Sequence, residues 1–126
     1  MSLREKGPVL THSWVANTAM TTINVPLKHA TPENELTPIT AVTDKIVGFL
    51  QTPAKERGIP ISVADHPGEL IYMIAADASI VKGDDLQPDA TIPTRVTTRT
   101  SGIKCGEALE TPTIVGQIIL CRFYKA

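Results

Sequence analysis

The chain has 126 residues, enough for one domain with its own core and no need of disulfide or metal staples. Its formal net charge is −1, so the basic excess that phosphate backbones demand is missing and nucleic acid is not an expected partner. Hydrophobic residues make up 42% but aromatic ones only 4%, which assigns the core to Ile, Val, Leu and Ala.

The opening MSLREKGPVL holds no apolar run of signal-peptide length. No segment approaches the roughly 18 apolar residues of a membrane helix. The expectation is a protein made in the cytoplasm with no membrane partner. Ten prolines are spread from Pro8 to Pro112, and proline interrupts helix interiors and central strands alike. Thr, Val and Ile are abundant and favour strands. The expected class is therefore mainly β: a small β-barrel or sandwich with an extended N-terminal arm and at most one short helix.

In chain order, residues 1–36 read as the arm and 37–126 as the β-barrel domain. The arm has scattered apolar residues without a sustained period. Ile23 and Val25 alternate briefly, and Trp14 is the only tryptophan. From residue 39 the pattern sharpens. Residues 45–50 (KIVGFL) read as a strand, and PAKERG as a polar turn. Residues 59–64 alternate, with Pro60 expected at a strand start or sheet edge. HPG is a second turn. Residues 69–75 are a near-continuous apolar run, expected to be a strand buried on both faces. Residues 76–80 leave room for one helical turn. Residues 91–100 read as a strand with Arg95 and Arg99 on an exposed side. Residues 113–124 form a long terminal strand, with a bulge or bend expected at Gly116.

Two stretches share a template of Ile, two free positions, Gly, an acid, one free position and Leu. They are IVKGDDL (80–86) and IKCGEAL (103–109). A metal site is one reading, because Asp84, Asp85 and Asp89 gather carboxylates. The EF-hand register is absent, however, and the second copy offers only Glu107 and Glu110. The architectural reading has the better mechanism. Gly83 and Gly106 can take positive φ, and Asp84 and Glu107 can accept from nearby backbone amides. The flanking Ile and Leu then anchor each turn in the core.

No catalytic, cofactor-binding or metal-ligating set is expected. His12, His29 and His66 have no ligand spacing, and there is no nucleophile elbow, Walker loop or dinucleotide fingerprint. Cys105 and Cys121 lack zinc spacing. Reduced structural thiols are the expectation for them, and whether they pair is not readable from sequence.

Residues 46–86 carry a resemblance. Val47-Gly48-Phe49-Leu50, the polar turn 53–57, the strand 58–63, Pro67-Gly68, the apolar strand 70–74 and IVKGDDL follow one another, with Ile114-Val115-Gly116 and 118–123 further on. This order resembles the small β-barrel decoration, or cement, proteins of tailed-bacteriophage capsids. The likeness covers about residues 37–126; the arm and Trp14 lie outside it. It implies a non-enzymatic protein of the virion, without cofactor, on the outer surface of the expanded head. There such proteins bind the major capsid protein, cluster as homo-oligomers, commonly trimers, and bridge capsomers. In this reading the arm contacts the capsid protein or a neighbouring subunit through Trp14, Val15, Ile23, Val25 and Leu27. The alternative is a small-molecule or carbohydrate-binding β-domain, with Asp84, Asp85 and His66 as its polar set.

Overall fold

The computed structural model describes residues 14–31 and 34–125. Among them every regular element is a strand, as the composition predicts. The strands are β1 (Val15–Ala16), β2 (Pro26–His29), β3 (Glu35–Pro38), β4 (Gly48–Leu50), β5 (Val63–Ala64), β6 (Leu70–Ile74), β7 (Asp85–Pro88), β8 (Val96–Thr98), β9 (Gly106–Ala108) and β10 (Ile118–Phe123). They form two five-stranded sheets, ordered β1-β3-β2-β4-β5 and β6-β10-β9-β7-β8. The strands are short because prolines bound them: Pro26 opens β2, and Pro38 and Pro88 end β3 and β7.

The first sheet curls until its outer members meet. β1 pairs in parallel with β3, and its other side bonds the segment that leads into β5. There Ala16 N donates to Ile59 O (2.9 Å), Gly58 N to Ala16 O (2.8 Å) and Ile61 N to Trp14 O (3.0 Å). Pro60 meets Val15 at this seam. The curl encloses Ala16, Met20, Val25, Leu27, Leu36, Val47, Leu50, Ala54 and Ile61.

Residues 14–31 and 34–36 are thus part of the sheet rather than an extended arm. They supply β1, β2 and the first half of β3, with Ala16, Leu27 and Leu36 fully buried. Strands of two to four residues are too short to show a two-residue period, which is why this region reads as unpatterned. The remainder of the expected arm, 1–13, lies outside the described residues.

The second sheet curls as well. Ala75 bridges Val96, and Ala76 N donates to Val96 O at 2.8 Å, drawing the end of β6 towards β8. Its core of Ile71, Met73, Ala75, Ile80, Leu86, Val96, Cys105, Ala108, Ile119, Cys121 and Phe123 is completed by Phe49 and Ala64 from the first sheet. β4 is therefore a shared wall, buried along its whole length. Leu50 points into one core and Phe49 into the other. The Phe49 and Phe123 rings meet edge to face with centroids 5.6 Å apart, a favoured aromatic geometry. Gly48 lets β5 close on this wall: a Cβ there would lie 2.5 Å from Ala64 O and 2.6 Å from Val63 Cγ1.

Three further expectations change. Residues 76–80 hold an Asx turn instead of a helical one: Asp77 Oδ1 accepts from Ser79 N (3.0 Å) and Ser79 Oγ (2.6 Å). The terminal strand begins at Ile118; residues 113–117 form a turn with Gly116 at φ 83°. Residues 91–95 also turn, with Asp89 Oδ2 accepting from Thr91 N and Ile92 N.

Candidate functional site

The described acids serve mostly as acceptors in turns. Asp44 Oδ2 accepts from Thr40 N (2.9 Å) and Ala41 N (3.0 Å) and pairs with Lys28 Nζ (3.1 Å). Asp84 Oδ2 accepts from Val81 N (2.9 Å) and Thr98 Oγ1 (3.1 Å). Asp85 pairs with Lys104 at 3.2 Å. Asp84, Asp85 and Asp89 each turn to different partners, and among the described residues no group of three potential metal ligands exists. His66 sits with Asp65 at 3.1 Å and Glu69 at 4.0 Å. It shares no partner with Asp84 or Asp85, so that polar set does not assemble. His12 lies outside the described residues, and the His29 ring packs against Trp14 at 5.7 Å.

The Thr40 amide, with Lys28, holds the Asp44 carboxyl down at about 2. The Ser79 hydroxyl, with Thr97, lowers Asp77. Asn17, with Arg57, lowers Glu35. A folded-state value below the unfolded one means that each contribution is complete above about pH 4. It is lost as pH falls through the folded value. Melting temperature by circular dichroism is therefore expected to hold between pH 7 and about 5 and to drop between about 4 and 2. Asp44→Asn is expected to flatten that drop.

The two template copies differ. Gly83 takes φ 98°, Asp84 closes the turn, and Ile80 and Leu86 are fully buried. The second copy is not a turn. Gly106 and Glu107 lie in β9, and Ile103 is exposed. Gly106 has no positive φ. Its missing Cβ instead admits Met73 Cε, which that atom would meet at 2.7 Å, and Arg122 O, at 3.0 Å. Glu107 stands opposite Asp85 and Arg122. The copies are neighbours: Leu86 of β7 pairs with Gly106 of β9.

Cys105 and Cys121 are buried and unpaired. Burial pushes both thiols up to about 12, so neither is an activated nucleophile.

What stands out is a surface. β6 and β10 pair with Ile74 opposite Ile118, Tyr72 opposite Leu120 and Leu70 opposite Arg122. Ile71, Met73, Ile119, Cys121 and Phe123 point inward and are buried. Of the other parity, Leu70 is 54% exposed, Tyr72 51% and Ile118 50%, while Ile74 packs against the first core. The adjoining turn adds Ile114 and Val115, both more than 60% exposed. It is tied to the end of β6 by Gly116 N to Ala75 O (2.9 Å) and Ala75 N to Gln117 O (2.8 Å). The 69–75 run is thus covered on its second face only at Ile74 and exposed there at Leu70 and Tyr72, a correction to the two-faced burial read from its composition. Cross-strand side chains lie about 5 Å apart, so these residues form one apolar stripe across β6, the outermost strand of the sheet order, its neighbour β10 and the adjoining turn.

The residues expected to bind a partner fare unevenly. Val25 and Leu27 are core, at 5% and 0% exposure, and are lost to any partner. Trp14 and Val15 are half-buried, and Ile23 is exposed. The sequence alone hides the stripe, because two apolar runs look alike from either face. Arg122 was the available signal: its parity marks Leu120 and Ile118 as outward.

The chain matches no protein-family model, no curated protein and no solved structure. Among the described residues no helix is long and apolar enough to cross a membrane.

Proposed function

We propose that this chain is a non-enzymatic decoration protein of a tailed-bacteriophage head. It binds the major capsid protein on the outer surface of the shell, as a homo-oligomer and by preference a trimer, and bridges neighbouring capsomers. The observation that carries the reading is the exposed Leu70–Tyr72–Ile118 stripe with Ile114 and Val115 beside it. An exposed apolar face that runs over an outermost strand and its neighbour is a liability in a free monomer and an asset to a protein that is covered on assembly.

The test is co-sedimentation with shells assembled from the major capsid protein of the genome that encodes this chain. Wild-type protein is expected to pellet with the shells. Leu70→Asp/Tyr72→Asp should keep the wild-type circular dichroism spectrum and weaken binding by at least about tenfold, because truncated apolar anchors cost 1 kcal/mol or more each. Equal pelleting of both proteins would remove the stripe from the interface. Absence of pelleting by the wild type would remove the shell.

A further inference from the structure

A cleft of about 250 Å³ opens where the loop after β3 meets the far end of the second sheet. Its apolar lining comes from Val42 and Ile46 of that loop and from Pro88, Ile103, Cys105 and Tyr124. An aliphatic cavity of about 150 Å³ already holds benzene, so a single ring with a short tail fits here.

Three lysines line the cleft, Lys45, Lys104 and Lys125. Lys104 is engaged, with its Nζ 4.6 Å from the Tyr124 ring centre and 3.2 Å from Asp85. Lys45 and Lys125 make no ion pair among the described residues. Asp44 is the one acid in the lining, and its charge is already answered by Lys28 and two backbone amides. A cation gains nothing at such a site, and a neutral apolar molecule gains burial alone. A polyanion finds few hydrogen-bond donors on the apolar walls. A molecule with an apolar body and one carboxylate gains both burial and charge pairing.

We infer that this cleft is a binding site for a small aryl- or alkyl-carboxylate, with its apolar body between Ile46 and Ile103 and its carboxylate at Lys45 and Lys125. The site is separate from the β6–β10 stripe and does not depend on the shell reading.

The matched probes are 3-phenylpropionate and the neutral 3-phenylpropanol, titrated into ¹⁵N-labelled full-length protein. Saturable amide shifts are expected at 42–46, 103–105 and 124–125, with the carboxylate bound about fivefold tighter than the alcohol. Lys45→Gln/Lys125→Gln alters two exposed side chains and should leave the fold intact. It is expected to bring the carboxylate down to the alcohol's affinity and leave the alcohol unchanged. Equal affinity of the two probes for the wild type overturns the inference, as do shifts confined to other residues or no saturable shift with either probe.

Discussion

Phe49→Ala is expected to destabilise the protein by about 3–5 kcal/mol and to loosen both sheets together. Phe49 belongs to a strand of the first sheet, yet its side chain is part of the second core. It is fully buried and meets Phe123 edge to face. Truncation removes that ring contact and leaves a cavity between the sheets, whose main chains hold it open. Denaturant unfolding followed by both far-ultraviolet circular dichroism and Trp14 fluorescence checks this. Trp14 packs against the first core, so its fluorescence reports the first sheet while circular dichroism reports both. Coincident transitions in wild type, both shifted in the variant, are expected. Separate transitions, or a loss below about 1 kcal/mol, would mean that the sheets fold independently and that β4 is not their common wall.

Gly106→Val is the second large effect, and comparison with Gly83 gives it meaning. At Gly106 even one carbon would press on Met73 Cε and Arg122 O. Valine adds two more methyl groups in a fully packed layer, at a cost of about 1–3 kcal/mol or more. Gly83 has open space around it and a left-handed φ of 98°, so the cost there is conformational, about 1–2 kcal/mol. Asparagine separates the two causes. Gly83→Asn should regain most of the lost stability, because Asn tolerates positive φ; Gly106→Asn should not. Asp84→Asn keeps an acceptor for Val81 N and should change stability by less than about 1 kcal/mol. Chemical denaturation of Gly83→Val, Gly106→Val, Gly83→Asn, Gly106→Asn and Asp84→Asn checks the order. If Gly83→Asn and Gly106→Asn are equally damaging, the two glycines act alike after all.

That contrast also marks what the sequence can carry. Gly83 and Gly106 sit in the same local template, and a local template suffices for a turn: Ile80, Gly83, Asp84 and Leu86 take up theirs within seven residues. Gly106 answers to Met73 and Arg122, which are distant in sequence, so nothing in IKCGEAL distinguishes a turn glycine from a close-approach glycine. The β class was legible because Pro, Thr, Val and Ile act residue by residue. The strands at 48–50, 63–64, 70–74 and 118–123 fall within the segments read as strands, since apolar runs of that length have few other uses. The first sheet's entry was not legible. Val15 and Ala16 make a strand only because Glu35, Leu36 and the 58–61 segment flank them. The exposed stripe needed the pairing of β6 with β10, which fixes the outward parity of both at once.

The central claim is that the Leu70–Tyr72–Ile118 face meets a capsid shell. Cryo-electron microscopy of shells from the same genome, with this protein added, tests it most directly. The account predicts density for the two-sheet domain on the outer surface, with β6, β10 and the 113–117 turn against a protein neighbour and Tyr72 buried. Shells that stay bare at saturating protein, or density with Leu70 and Tyr72 facing solvent, would contradict it.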